Sequence, residues 1–301
     1  MSEHEKEQML RGEISRAIAH ITPGEEDRST PVEGLNLFRR ESPSEACPCL
    51  YQPGIVLVTQ GAKQMLIDQQ GYRYDQHHFL VTALDLPAST QVLSATPNEP
   101  CLGLSLHLDR GMITELMAHM GPPRNVIKDR TSVATGKVST VLLEPLARLL
   151  ALLKEPHSTP LLAPLIIKEI HYRLLTSDIA PCLWQIASVG SMSHRIAEVI
   201  GWLKQHYAER ISIEQLANEM QMSTSSLHHH FRQLTGISPL QYQKRLRINA
   251  ARLLMINEHL DAATASYQVG YESPSQFSRE YKQLFGLPPR QDIKSAKPSS
   301  V

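Results

Sequence analysis

The chain has 301 residues, of which 42% are apolar and 20% charged, a balance typical of a soluble globular protein long enough for two domains. Its most apolar run, residues 142–153, is too short for a membrane span and contains Glu144, Pro145 and Arg148. No signal peptide is evident, and the four cysteines are too few and too scattered for a disulfide framework. We therefore expect a cytoplasmic protein with no membrane association.

Net charge is zero overall but unevenly distributed. Residues 190–301 contain 13 lysines and arginines against 9 aspartates and glutamates, a net of +4, so residues 1–189 carry a net of −4. The basic C-terminal third permits phosphate binding, although an ordinary charge fluctuation would look similar.

Residues 3–20 carry apolar side chains at helical spacing, and Thr22-Pro-Gly ends the pattern. They predict an N-terminal arm, residues 1–22, that packs on the next domain. From Leu35 to Leu108 the pattern changes to short strands separated by turn residues: 54–61, 64–67, 72–74, 79–84 and 101–108. Strands at this spacing predict a sandwich or barrel whose interior is packed solid or holds a small ligand.

After Asp109 the periodicity becomes helical, in residues 112–120, 138–153 and 161–176, with prolines as breaks. The last two helices are more apolar than a surface helix requires. They predict either a homodimer face through residues 138–176 or helices that cap the barrel, and both readings stay open. We place this domain at residues 23–187, a flexible linker at 188–194, a second domain at 195–293 and a tail at 294–301.

The second domain holds one pattern twice, at residues 212–239 and 262–289. A shift of 50 positions superposes five structural residues: Leu227 on Phe277, Phe231 on Tyr281, Leu234 on Leu284, Gly236 on Gly286 and Pro239 on Pro289. Each copy predicts a short helix, a tight turn and a second helix, and a long helix from Pro239 to Asn257 joins them. This is the helix-turn-helix layout, whose second helix can enter a DNA major groove.

Advancing 100° per residue from these core positions identifies the outward side chains of each second helix. In the first copy they are Ser225, His229 and Arg232, with His228 on the flank. In the second they are Ser275, Arg279 and Lys282, with Gln276 and Ser278 on the flanks. An isolated outward residue is more often simply solvated, but the duplicated scaffold favours contact with DNA. Arg279 is predicted to read guanine, whereas Arg232 and Lys282 are predicted to clamp phosphates.

The two copies differ at the turn. Gln221 stands in the first where Gly270 stands in the second, so the first lacks the residue that most easily adopts a positive φ. The first copy also has histidines and no arginine among its early outward positions. His228 and His229 are therefore candidates for a weak pH dependence.

The tandem stretch, with Gly-Tyr-Glu-Ser-Pro-Ser-Gln-Phe-Ser-Arg-Glu-Tyr-Lys at 270–282 and Phe-Gly-Leu-Pro-Pro at 285–289, resembles the DNA-binding domain of AraC/XylS-type bacterial transcriptional regulators. Residues 50–63, 72–74, 84–88 and 170–175 resemble the cupin-like N-terminal domain of one branch of that family. The resemblance implies a multidomain β + α protein, with a cupin-like barrel and flanking helices followed by an all-α domain. It also implies double-stranded operator DNA, RNA polymerase and a small-molecule effector as partners.

A few histidines and cysteines bear on the possibility of metal binding, redox sensing or catalysis. The adjacent His77 and His78 and the lone His107 lack the spacing of a cupin metal site, so we assign no metal, cofactor or catalytic residue. Cys47 and Cys49 are either sensors of oxidants or electrophiles or two ordinary loop cysteines. The alternatives to an effector-modulated regulator are a cupin-type enzyme and a DNA-binding protein that senses nothing.

Overall fold

The computed structural model describes residues 2–24, 26–67, 70–121, 131–188 and 190–295. The first element is helix α1, Glu3–Ile21, which begins at a capping box between Ser2 and Glu5 and ends at Thr22. Leu10, Ile14 and Ile18 form its buried face, which packs on the sheet and on a later helix. The predicted N-terminal helix is confirmed.

The described part of the chain contains ten antiparallel strands: β1 Glu26–Ser29, β2 Leu35–Arg40, β3 Cys47–Tyr51, β4 Gly54–Gln60, β5 Ala62–Ile67, β6 Gln70–Asp75, β7 His78–Thr82, β8 Leu86–Ser94, β9 Cys101–His107 and β10 Val133–Lys137. They form one curled sheet in the order β1-β2-β9-β4-β7-β6-β5-β8-β3, with β10 paired to β7. Strands β5 and β6 form an antiparallel hairpin pair, in which Ile67 lies opposite Gln70.

The curl of the sheet separates two apolar faces, because side chains alternate along each strand. Ile55 and Leu57 of β4 join the cluster that contains the flanking helices. Val56 and Val58 of the same strand join the barrel cluster with Phe38 and other inward residues. One strand therefore serves both the helical layer and the barrel interior.

The helical layer consists of α2 Arg110–Met120, α3 Thr140–Ala151 with a 3₁₀ turn at Leu152–Lys154, α4 Thr159–Leu175 and α5 Ala180–Ala187. These bounds confirm the helices predicted at 112–120, 138–153 and 161–176. Helix α5 is absent from the sequence prediction, which treats Pro181 as a break. A proline is compatible with the first turn of a helix, and Pro181 occupies that turn here.

The prediction of helices alone after Asp109 was wrong at β10. Strand Val133–Lys137 runs antiparallel to β7, with Gly136 opposite Phe79. A Cβ atom on Gly136 would lie 2.4 Å from the Phe79 ring, so this close pairing requires glycine. The partner of Gly136 lies far away in sequence, and no local pattern reveals it.

The C-terminal region contains α6 Met192–Gln205, α7 Ile213–Glu219, α8 Thr224–Thr235, α9 Pro239–Asn257, α10 Ala262–Gln268, α11 Pro274–Phe285 and α12 Pro289–Ser295. The two helix-turn-helix units are α7–α8 and α10–α11, joined by the predicted long helix α9. Helix α6 begins inside the predicted linker, because the Ser191 hydroxyl accepts a hydrogen bond from the His194 amide. Within the described residues, no helix combines the length and apolarity needed to cross a membrane.

The turns of the two units have the same backbone conformation despite their different residues. Gln221 adopts φ +53° and Gly270 adopts φ +85°. Arg195 donates a hydrogen bond to the Gln221 carbonyl at 3.2 Å, which helps to hold this turn. The first unit therefore carries a glutamine in a region that disfavours a Cβ atom.

We expect Gln221→Gly to raise the free energy of unfolding by about 0.5–1 kcal/mol, because glycine removes the left-handed strain at some cost in unfolded-chain entropy. Urea denaturation followed by circular dichroism measures the change. The control Gln233→Gly, at an exposed position of α8, should instead lower stability by about 1 kcal/mol. A loss of stability in both variants would contradict strain at Gln221.

Candidate nucleic-acid interface

Helix α8 begins where the Ser223 hydroxyl accepts a hydrogen bond from the Ser226 amide, and it ends at Gly236 in the left-handed conformation. Its buried face is formed by Leu227, Phe231 and Leu234. The opposite face exposes all four residues that the helical wheel selected, Ser225, His228, His229 and Arg232. His230 is only half-exposed, and its ring meets that of His229 edge-on at 4.9 Å.

Helix α11 is built in the same way. The Ser273 hydroxyl caps its first turn at Gln276, and Gly286 ends it in the left-handed conformation. Phe277 and Tyr281 are fully buried. The exposed face carries Ser275, Gln276, Arg279 and Lys282, with Ser278 half-buried at its edge.

Aromatic packing fixes both helices on their scaffold. Phe231 of α8 meets Tyr242 of α9 edge-on, with ring centroids 5.4 Å apart. Phe277 of α11 lies between Tyr271 and Tyr281, at 5.3 and 5.5 Å. Edge-to-face pairs of this kind each contribute about 0.5–1.5 kcal/mol beyond their buried area. These contacts hold α8 and α11 against their scaffolds and thereby fix the orientation of their exposed faces.

The cations on these faces have no competing partners within the described part of the protein. Among the residues that the structure describes, the side chains of Arg232, Arg279 and Lys282 make no hydrogen bond or ion pair. All three are exposed. They are consequently free to bind an anion or a base edge without first breaking an internal contact.

Gln276 differs, because its side chain is already held by a network that the sequence analysis missed. Its amide nitrogen donates to Glu280 at 3.1 Å, and Glu280 also accepts from Lys244 and from the Tyr271 hydroxyl. Burial acts to raise the pKa of Glu280, but these three hydrogen bonds outweigh it and lower the pKa. The i,i+4 spacing of Gln276 and Glu280 was the one available sequence signal.

A second set of contacts joins this domain to the barrel. The Asp85 carboxylate accepts from Lys204 of α6 at 2.7 Å, and the Asp85 carbonyl accepts from the Tyr242 hydroxyl of α9 at 3.0 Å. The Ser132 hydroxyl, beside β10, donates to the Leu234 carbonyl at the end of α8. The barrel thus contacts the first helix-turn-helix unit and the connecting helix directly.

Two family models match the chain. Residues 31–181 match the AraC-type transcriptional regulator N-terminus, and residues 216–295 match a helix-turn-helix domain. The first match alone covers half of the 301 residues. The chain belongs to the AraC-type transcriptional regulators.

Relatives of this AraC-type regulator match about a third of its length. The uncharacterized HTH-type transcriptional regulator YdeC of Bacillus subtilis is 32% identical over 97 residues, covering 32% of this chain and 33% of YdeC. The HTH-type transcriptional activator RhaS of Escherichia fergusonii is 31% identical over 107 residues, covering 36% and 38%. The chain therefore spans about a third of the length of the curated relatives that it matches.

Solved structures extend the likeness of the AraC-type regulator to the whole fold. The apo form of a lysine-to-alanine variant of ToxT from Vibrio cholerae superposes with a TM-score of 0.60 at 10% identity, covering 90% of this chain and 100% of that one. Wild-type ToxT described as bound to an unsaturated fatty acid gives 0.58 at 11% identity, covering 86% and 94%. The barrel followed by a tandem helix-turn-helix region is therefore a shared architecture.

Cys47 and Cys49 of this AraC-type regulator lie in strand β3, so their interpretation as loop residues was wrong. Residues two apart on a strand face the same side of the sheet, and Cys47 is exposed while Cys49 lines the barrel. Burial, followed by the neighbouring Cys47, raises the pKa of the Cys49 thiol to about 12. Cys49 is therefore a protonated, weakly nucleophilic thiol at neutral pH.

Among the cavities lined by barrel residues that the structure describes, two are of functional interest. One, of about 460 Å³, lies where the barrel, α2 and α5 meet α6, and Arg110 and Lys204 lie on its wall. The other, of about 380 Å³, lies inside the barrel and is lined by Phe38, Cys49 and Lys63 among others. His107 borders the barrel cavity but is far in sequence from His77 and His78, and no group of three or more His, Cys, Asp or Glu residues suited to a metal exists within the described ranges.

Proposed function

We propose that this AraC-type regulator binds a specific double-stranded operator in the cytoplasm, with α8 and α11 in successive major-groove turns on one DNA face. The observation that carries the proposal is the pair of helices on equivalent scaffolds, each exposing polar and cationic side chains opposite a buried aromatic core. The basic charge of residues 190–301 favours association with DNA.

Arg279 is the proposed base reader of α11. It lies near the middle of the helix, is exposed and has no internal partner among the described residues, so its guanidinium can donate two hydrogen bonds to guanine. Arg232 and Lys282 lie nearer the C-terminal ends of their helices and are assigned to phosphates. Ser275 and Ser278 border the base-reading position.

Gln276 is proposed to read a base as an acceptor. Glu280 accepts a hydrogen bond from its amide nitrogen, so the amide oxygen is proposed as the atom that contacts the base. An outward acceptor recognises the amino group of adenine or cytosine. On α8 the corresponding contacts are assigned to Ser225, His228 and His229, which carry no permanent charge, so the first unit contributes less electrostatic affinity.

The barrel is proposed to modulate DNA binding through a small-molecule effector. A cavity with polar groups inside the barrel favours this reading over a regulator that senses nothing, which predicts a solid barrel. A cupin-type enzyme is disfavoured, because the named relatives are transcriptional regulators. The contacts of Asp85 with Lys204 and Tyr242 provide the physical link from barrel to DNA-binding helices.

Two protein partners are also proposed. Control of transcription at a promoter brings the regulator to RNA polymerase. A homodimer is proposed through the part of residues 138–176 that remains exposed, which is helix α4. Leu161 is 76% exposed and Leu165 is 65% exposed, whereas the apolar residues of α3 are largely buried in the helical layer.

Arg279→Ala should cost about 1–3 kcal/mol of binding free energy, concentrated at a single base pair. The operator is first obtained by selection from random DNA, and affinities are then measured for every single-base variant of it. Lys282→Ala is the matched comparison: it should weaken all sequences about equally and reduce the salt dependence by about one phosphate contact. If Arg279→Ala weakened binding to all sequences equally, Arg279 would be a phosphate contact. If binding were unchanged, Arg279 would have no role in DNA recognition.

Leu165→Glu should weaken self-association at least about tenfold, because it places a charge in the proposed apolar interface. Sedimentation equilibrium of the purified full-length protein measures the dimer dissociation constant. Leu253→Glu changes another leucine, 49% exposed on α9, and should leave that constant unchanged. A monomeric wild-type protein, or a variant that dimerises normally, would refute the α4 interface.

A reactive-species input is the alternative to a reversible effector, and it is now assigned to Cys47 as the more accessible thiol. If it operates, Cys47→Ser should abolish the transcriptional response to aldehydes and oxidants, and Cys49→Ser, whose thiol is held protonated, should largely preserve it. A reporter fused to the selected operator provides the readout. A full response in the Cys47→Ser, Cys49→Ser double variant would eliminate this input.

A further inference from the structure

Lys63 is a buried lysine at the wall of the barrel cavity. It lies on β5, only 8% exposed, and its ammonium group is 4.3 Å from the centroid of the Phe38 ring on the opposite wall. It makes no hydrogen bond or ion pair with any residue that the structure describes. An ammonium group in such a place is costly unless something compensates its charge.

The groups around Lys63 do not supply that compensation. Asp27 is already engaged by Arg40, whose guanidinium donates to both carboxylate oxygens at 2.7 and 2.6 Å. The Cys49 and Cys101 thiols stay protonated at neutral pH, because burial raises the pKa of each. Among the described residues, the cavity wall therefore holds one cation in excess of its anions.

Burial and the neighbouring Arg40 lower the pKa of Lys63, in that order of size. The cation–π contact with Phe38 recovers part of the lost solvation. Gly103 makes this contact feasible, because a Cβ atom there would lie 2.3 Å from the Phe38 ring and displace it. Gly103 therefore allows the Phe38 ring to lie against the Lys63 ammonium group, whose charge the described residues do not otherwise compensate.

The remaining lining suits an amphipathic molecule. Leu50 and Val56 provide apolar surface, and the Tyr51 hydroxyl, which hydrogen-bonds Tyr74 at 3.1 Å and Thr90 at 3.3 Å, provides a polar one. A volume of about 380 Å³ lies within the range of small-molecule sites. A ligand with a single negative charge would neutralise the excess positive charge of Lys63. A phosphate dianion would bury a second negative charge that has no partner.

We propose that the barrel cavity binds a small organic acid, whose carboxylate pairs with the Lys63 ammonium group and whose apolar body contacts Phe38, Leu50 and Val56. The inference rests on the proposed function only in treating this acid as the effector. Binding itself requires neither DNA nor a second subunit.

Straight-chain acids from acetate to octanoate, each compared with its neutral amide, are the probes. Titration calorimetry on the full-length protein should find at least one acid that binds at least tenfold more tightly than its amide. Lys63→Met should weaken that acid at least tenfold, and the control Lys154→Met, at an exposed lysine, should not. Absence of binding by every acid, equal binding of acid and amide, or binding indifferent to Lys63→Met would each overturn the proposal.

Thermal unfolding without ligand separates a ligand-binding lysine from a structural one. Lys63→Met removes an uncompensated buried charge and should raise Tm by about 2–5 °C, whereas loss of a structural contact would lower it. If the variant does not fold, the wild-type pH profile decides: acid affinity should fall as pH rises through the pKa of Lys63, and a flat profile would overturn the proposal.

The same preparations distinguish this inference from the proposed function. Acid binding without sequence-specific DNA binding would leave the cavity assignment intact and refute the regulator model. DNA binding without acid binding would support the regulator model and refute the cavity assignment.

Discussion

The arrangement of the two DNA-binding units depends on Arg247, near the middle of α9. Its guanidinium donates to the carbonyls of Tyr207, Ala208 and Glu209, which precede the first unit, and to the carbonyl of Gly270 in the turn of the second. Gly270 permits this approach, since a Cβ atom there would lie 2.0 Å from the Ala208 carbonyl oxygen. One planar group thus satisfies three carbonyls of the segment before α7 and one in the turn of the second unit, and it ties these two segments to α9.

The barrel supplies a different kind of order. Its helical layer uses one face of β4, while the cavity uses the other, so ligand space and structural core are separated by a single strand. Asp85 follows β7 and contacts both α6 and α9. The barrel is therefore connected to the helix-turn-helix region by short, direct contacts as well as by the chain itself.

Sequence periodicity predicted correctly those elements whose structure depends on residues close in sequence. It located α1, the central strands, the helix Pro239–Asn257 and the exposed faces of α8 and α11. It failed where the deciding partner is distant: β10 depends on Phe79, and the role of Glu280 depends on Lys244 from another helix. The isolation of Lys63 could not be predicted either, because the absence of a counterion is a property of the assembled walls, not of β5.

Strand β3 lies at the edge of the sheet, and α9 and α11 pack against it. Sheet edges present unpaired backbone groups that can recruit strands from other chains, and Pro48 in this strand lacks one of the donors required. The helix-turn-helix region thus also covers part of this edge. A rearrangement that moves this region far from β3 would expose the edge to strands of other chains. The risk of aggregation therefore sets a limit on interdomain motion, in addition to any limit set by the geometry of DNA.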